Sequence, residues 1–130
     1  MIKGADAVIG VSGPNLITQS MVKSMAKNAI VFAMANPIPE IMPDKALKAG
    51  ATIVASGRSD FPNQINNALA FPGIFLAVVK GRLTAITQEM KDAASTTLAD
   101  LVKKPSANNI IPDIFYPKLA EHIAQAILAD

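Results

Sequence analysis

The sequence predicts an α/β fold, and three of its features carry that prediction. Three apolar runs, Ala5–Val11, Ala29–Ala35 and Ala51–Ala55, do not alternate polar with apolar residues. Each run ends in a turn rich in glycine, asparagine, proline or serine, and a helical pattern separates each run from the next. Beyond residue 63 the apolar spacing becomes helical, interrupted by a loop at Ser106–Pro112. Continuous apolar strands separated by helices indicate a parallel sheet covered on both faces. The class is therefore a partial doubly wound (Rossmann-type) parallel sheet of about three strands, followed by C-terminal helices.

The elements follow in order. Lys3-Gly4 suits the last turn and C′ position of a helix. Ala5–Val11 is the first strand and Ser12-Gly13-Pro14-Asn15 its loop. Thr18 is a predicted N-cap, with Ile17 and Val22 at the spacing of a hydrophobic staple. Met21, Val22 and Met25 form the inward face, and Asn28 is the expected stop. After the second strand, Asn36-Pro37-Ile38-Pro39 must leave the sheet, because proline cannot sit inside a central ladder. Pro43–Ala49 is a short helix with Gly50 at C′, and it leads into the third strand.

A helix is expected to start at Asn63–Leu69, to be disturbed near Pro72-Gly73, and to run on through Ile74–Lys80 to a stop at Gly81. Thr87 caps the next helix, whose stripe is Ile86, Met90, Ala93, Ala94, Thr97, Leu98 and Leu101. Lys103-Lys104-Pro105 closes it, with bases at the end the macrodipole favours. Pro117 opens a last helix in which Leu119, Ile123 and Ile127 stack.

Composition narrows the function. The 130 residues are 51% hydrophobic, which supports a core of about one domain. Net charge is +2, without a basic stripe interleaved with aromatics, so nucleic acid is not an expected partner. The absence of cysteine removes thiolate chemistry and fits a reducing, cytoplasmic setting. No secretory leader is visible, and the longest low-charge run, Phe61–Val79, is broken by prolines, so no membrane span is expected.

Parallel sheets bind ligands beyond the carboxyl ends of their strands. Ser12, Asn36, Arg58 and Asn66 are therefore expected at one mouth, although they are distant in sequence. That mouth has hydrogen-bonding groups but no general acid–base pair. Its one carboxylate, Asp60, suits a helix cap better than a metal site, and the lone His122 reads as a surface residue. The dinucleotide fingerprint G-x-G-x-x-G is absent from the 130 residues. The apolar first strand suggests a partner strand upstream, and hence a larger nucleotide-binding enzyme.

The segments Gly4-Ala5-Asp6, Ile9–Pro14, Ile30–Pro37, Ala55–Asn67, Phe71–Phe75 and Ile110–Asp113 closely resemble bacterial malic enzymes. The likeness covers essentially the whole chain and corresponds to the C-terminal part of that family's NAD(P)-binding domain. It implies oxidative decarboxylation of L-malate to pyruvate and carbon dioxide, with NAD or NADP reduced and a divalent metal (Mg or Mn) required. It places Asn36 against substrate and the nicotinamide end of the cofactor, Asn66 and Asn67 against malate, and Val11, Ser12 and Gly13 along the cofactor. The family's proton-transfer tyrosine and lysine, its acidic metal ligands and its phosphate turn match nothing here and are expected upstream. The resemblance thus implies a fragment, residues 1–130, that is inactive alone and belongs to a homo-oligomeric cytoplasmic enzyme. The alternative is a non-catalytic nucleotide-binding or regulatory module built on the same fold.

Overall fold

Val8, Val31 and Val54 occupy one row across the sheet, in register, and this row faces the core of the first half of the chain. The computed structural model describes residues 2–129. Three parallel strands, β1 (Ala7–Gly10), β2 (Ile30–Ala33) and β3 (Ile53–Ser56), pair in the order β1-β2-β3. Helix α1 (Gln19–Lys23) joins β1 to β2, and α2 (Pro43–Lys48) joins β2 to β3. Gly10, Ala33 and Ser56 end the ladder side by side, so the three strands deliver their loops to one edge.

The described residues pack as two units: residues 2–65 with 106–109, and residues 66–105 with 110–129. In the first, Val22, Met25, Ala46 and Ala49 close over the valine row. The expected cover of both sheet faces is complete on the valine side and partial on the other, where Ala55 is buried. Ile9 is 65% exposed, and Ile30, Phe32 and Ile53 are half-buried. The strand order gives the reason: two successive crossovers in the same direction and of the same hand place both helices on one face.

Thr18 Oγ1 accepts from Met21 N at 3.3 Å, with Ile17 and Val22 buried, as the cap and staple require. The helix stops at Lys23, short of Asn28. Ser24 Oγ donates to Met21 O at 2.7 Å and competes with helix continuation. Asn28 instead takes a left-handed φ of 64° just before β2. Pro43 opens α2, and Gly50, at φ 103°, follows its end.

In the second unit a 3₁₀ turn, Asn67–Leu69, precedes α3 (Phe71–Gly81), α4 (Gln88–Leu101) and α5 (Leu119–Ala129). No helix starts at Asn63. Its φ is 58°, and its buried carboxamide donates to Val54 O at 3.0 Å and Ala107 O at 2.8 Å, which fixes a turn there. Pro72 does not disturb a helix; it sits in the first turn of α3, where its missing N–H is harmless. Gly81 remains helical, and Arg82 supplies the left-handed cap at φ 50°. Thr87 caps α4 through Met90 N at 3.4 Å. Ile86 lies off the α4 stripe, 41% exposed, and Lys103 and Lys104 fall beyond the last turn. Leu119, Ile123 and Ile127 are buried as their spacing predicts, whereas His122 is exposed with its ring edge-on to Tyr116. Among the described residues no helix is long and apolar enough to cross a membrane.

Candidate functional site

Where the sheet of the first unit ends, its loops are tied together by a residue that the sequence pattern did not single out. Glu40 lies in the segment between β2 and α2 and is 1% exposed. Its Oε1 accepts from Ser12 N at 2.7 Å and from Ser12 Oγ at 3.1 Å, and its Oε2 accepts from Ala35 N at 3.0 Å. One carboxylate therefore joins the turn after β1 to the turn after β2. The backbone around it is fixed as well, because Asn15 N donates to Pro39 O at 3.1 Å and Ile17 N to Glu40 O at 3.0 Å. Gly10 makes the room: a Cβ there would stand 2.6 Å from Glu40 Cδ.

Burial opposes ionisation of Glu40. The amides of Ser12 and Ala35, its own amide and the Ser12 hydroxyl outweigh that penalty and hold the carboxyl below the ordinary glutamate range. A carboxylate held low in the fold adds stability above its unfolded pKa, and that stability is lost as pH falls through the folded value. Glu40→Gln should therefore be less stable than wild type at neutral pH and should lose less stability below about pH 4. Urea midpoints measured across that range check this; parallel losses in the two proteins would contradict it.

Ser12 and Asn36 are both exposed, on the turns that Glu40 joins, and the Asn36–Pro37 peptide is cis. Val11 is 77% exposed beside Ser12, and Gly13 is half-buried. Arg58 follows β3 at the same edge but is not a free cation. Its Nε donates to Asp60 Oδ1 at 2.8 Å and its Nη2 to Oδ2 at 2.7 Å, while its guanidinium lies 5.9 Å from the Phe61 ring centre. Hydrogen bonding to that guanidinium pulls the Asp60 pKa down. Asp60 thus caps no helix, contrary to expectation; its partner is two residues away. Asn66 and Asn67 stand in the second unit. Asn66 Oδ1 accepts from Ala68 N at 3.0 Å and caps the 3₁₀ turn, and Asn67 is exposed.

The family model described as "Malic enzyme, NAD binding domain" matches residues 2–129. The chain belongs to this family. Among the curated relatives of this malic enzyme domain, the bifunctional malic/malolactic enzyme of Bacillus subtilis is 52% identical over 129 residues, covering 98% of this chain and 32% of the relative. The NADP-dependent malic enzyme of Halomonas elongata is 48% identical over 105 residues, 80% of this chain and 25% of the relative. The crystal structure of the malic enzyme from Pyrococcus horikoshii superposes with a TM-score of 0.89 at 46% identity, over 98% of this chain and 30% of that one. The chain thus spans about a third or less of the length of the relatives it matches.

This edge of the malic enzyme domain offers exposed hydrogen-bonding groups on the Ser12 and Asn36 turns. They are neutral: a serine hydroxyl, an asparagine carboxamide and backbone. They do not suit the pyrophosphate, since the amides of Ser12 and Ala35 already point at Glu40. Nor do they suit a metal: among the described residues no group of three or more His, Cys, Asp or Glu side chains could hold one.

Proposed function

We propose that this chain is the C-terminal part of the NAD(P)-binding domain of a malic enzyme that converts L-malate to pyruvate and carbon dioxide with NAD or NADP. Membership of the family supports the reading, and the observation that carries it is the juxtaposition of the Ser12 and Asn36 turns on one carboxylate at the carboxyl edge of the sheet. In this reading Val11, Ser12, Gly13 and Asn36 line the cofactor, while Asn36, Asn66 and Asn67 hold malate. Carboxamides bind a carboxylate or hydroxyl without competing for the proton that must move. The proton-transfer residues and the ligands of a magnesium or manganese ion belong to the rest of a longer polypeptide, which assembles as a cytoplasmic homo-oligomer. The bound metal supplies Lewis-acid polarisation of the substrate. Residues 1–130 alone are inactive in this reading.

The test is expression of the complete reading frame with a malate assay against both cofactors; no turnover with either sinks the reading. Asn66→Asp is the informative variant, because aspartate keeps the cap of the 3₁₀ turn and leaves stability unchanged. It removes an amide donor and adds a charge facing the malate carboxylates. We expect kcat/KM for malate to fall about ten- to a hundredfold, the worth of a hydrogen bond to a charged group. Unchanged kinetics would remove Asn66 from the site.

A further inference from the structure

We infer that Glu40 is a positioning residue: it fixes the Ser12 hydroxyl as a hydrogen-bond acceptor toward the dinucleotide and holds the Asn36 turn against it. This inference rests on the malic enzyme reading above. An ionised carboxylate only accepts, so the hydroxyl proton of Ser12, 3.1 Å from Glu40 Oε1, must point inward. The outward lone pairs of Ser12 Oγ can then only accept, and Ser12 is exposed. The ligand group that fits is an N–H or O–H donor, not a phosphate or carboxylate oxygen. At the nicotinamide end of a dinucleotide the donors of that kind are the carboxamide N–H and the ribose hydroxyls. Glu40 Oε2 holds Ala35 N, one residue before Asn36, so the same side chain sets the height of both turns. The missing Cβ of Gly10 is what lets the carboxylate lie in that place.

The experiment uses the complete enzyme, as wild type, Glu40→Gln, Glu40→Asp and Ser12→Ala. The first readout is amide hydrogen exchange at Ser12 and Ala35 without ligand. The second is the Kd for NADH or NADPH, whichever wild type binds more tightly, and for its 3-acetylpyridine analogue. The third is the split of kcat against KM. Glu40→Gln places an NH₂ against N–H donors. It should speed exchange at both amides and weaken dinucleotide binding about tenfold, the value of one charge-assisted hydrogen bond. Glu40→Asp, which keeps the charge but is shorter, should recover part of both.

Ser12→Ala keeps the Ala35 tie, so it stays informative even where Glu40→Gln does not fold. It should weaken binding with exchange at Ala35 unchanged. A smaller effect on the acetylpyridine analogue identifies the carboxamide as the donor, and an equal effect identifies the ribose. Faster exchange in Glu40→Gln with wild-type Kd, kcat and KM would reduce Glu40 to a structural tie, and wild-type Kd in Ser12→Ala would overturn the oriented hydroxyl. If wild type binds no dinucleotide and turns over no malate, the functional reading fails; unprotected Ser12 and Ala35 amides in active wild type would fail this inference alone.

Discussion

Gly73→Ala is expected to destabilise the second unit by about 3 kcal/mol, although helix propensity alone would favour alanine by about 1 kcal/mol. Gly73 lies in the first turns of α3 and is buried against α5. A Cβ there would stand 2.5 Å from Ile123 Cβ, 2.7 Å from its Cγ2 and 3.0 Å from Ala120 O. Two of those atoms are backbone or directly attached to it, so no rotamer change relieves the clash. The helices must separate. Ile123 is fully buried, and separation opens space around it and around Leu119 and Ile127. Overpacking usually costs about 1–3 kcal/mol, and a clash with main-chain atoms belongs at the upper end. The chain has no Trp and a single Tyr. Tyr116 lies in this unit, half-buried, so tyrosine fluorescence in a urea titration reports the second unit alone. A Tyr116 transition at or above the wild-type midpoint would mean that α3 and α5 do not approach this closely.

The outcome separates what is local in this sequence from what is not. Thr18 and Thr87 were legible as caps because a cap is decided within about four residues. The strands were legible because a buried parallel strand is apolar throughout, although each is four residues long, shorter than the apolar run that announces it. The pattern failed where side chains override it from a distance. Asn63 looks like a helix start, but its carboxamide is held by Val54 and by Ala107, 44 residues on, and no window around Asn63 contains the second partner. Asp60 looked like a cap because a carboxylate before a supposed helix usually is one; once that helix is absent, Arg58 is the nearest donor. Glu40 was missed because an acid in a proline-rich exit turn reads as solvated. The signal was present: it is the only acid between Asp6 and Asp44, flanked by prolines and apolar residues, with a glycine closing the first strand. An isolated acid in an apolar turn at a strand mouth merits a search for backbone donors.

Gly10→Ala is expected to cost about 3 kcal/mol in wild type and close to nothing in a Glu40→Ala background. The new Cβ would meet Glu40 Cδ at 2.6 Å, Oε1 at 2.8 Å and Cγ at 3.0 Å. The end of a glutamate usually swings away at little cost. Here it is buried and accepts three hydrogen bonds, so displacement leaves two amides and a carboxylate unpaired together. Unsatisfied buried groups cost about 1–3 kcal/mol each, more when charged, with water reaching part of this site through exposed Ser12. Glu40→Ala removes the obstacle and the bonds at once, so adding the Gly10 methyl then fills space instead of contesting it. The two substitutions should accordingly show a coupling energy of about 3 kcal/mol in a double-mutant cycle, measured by far-UV circular dichroism in urea and by exchange at the Ala35 amide. Additivity within about 0.5 kcal/mol would mean that Gly10 and Glu40 act independently. Coupling would make the glycine and the acid one device, in which the strand gives up a side chain so that a buried carboxylate can bind the loops on either side of it.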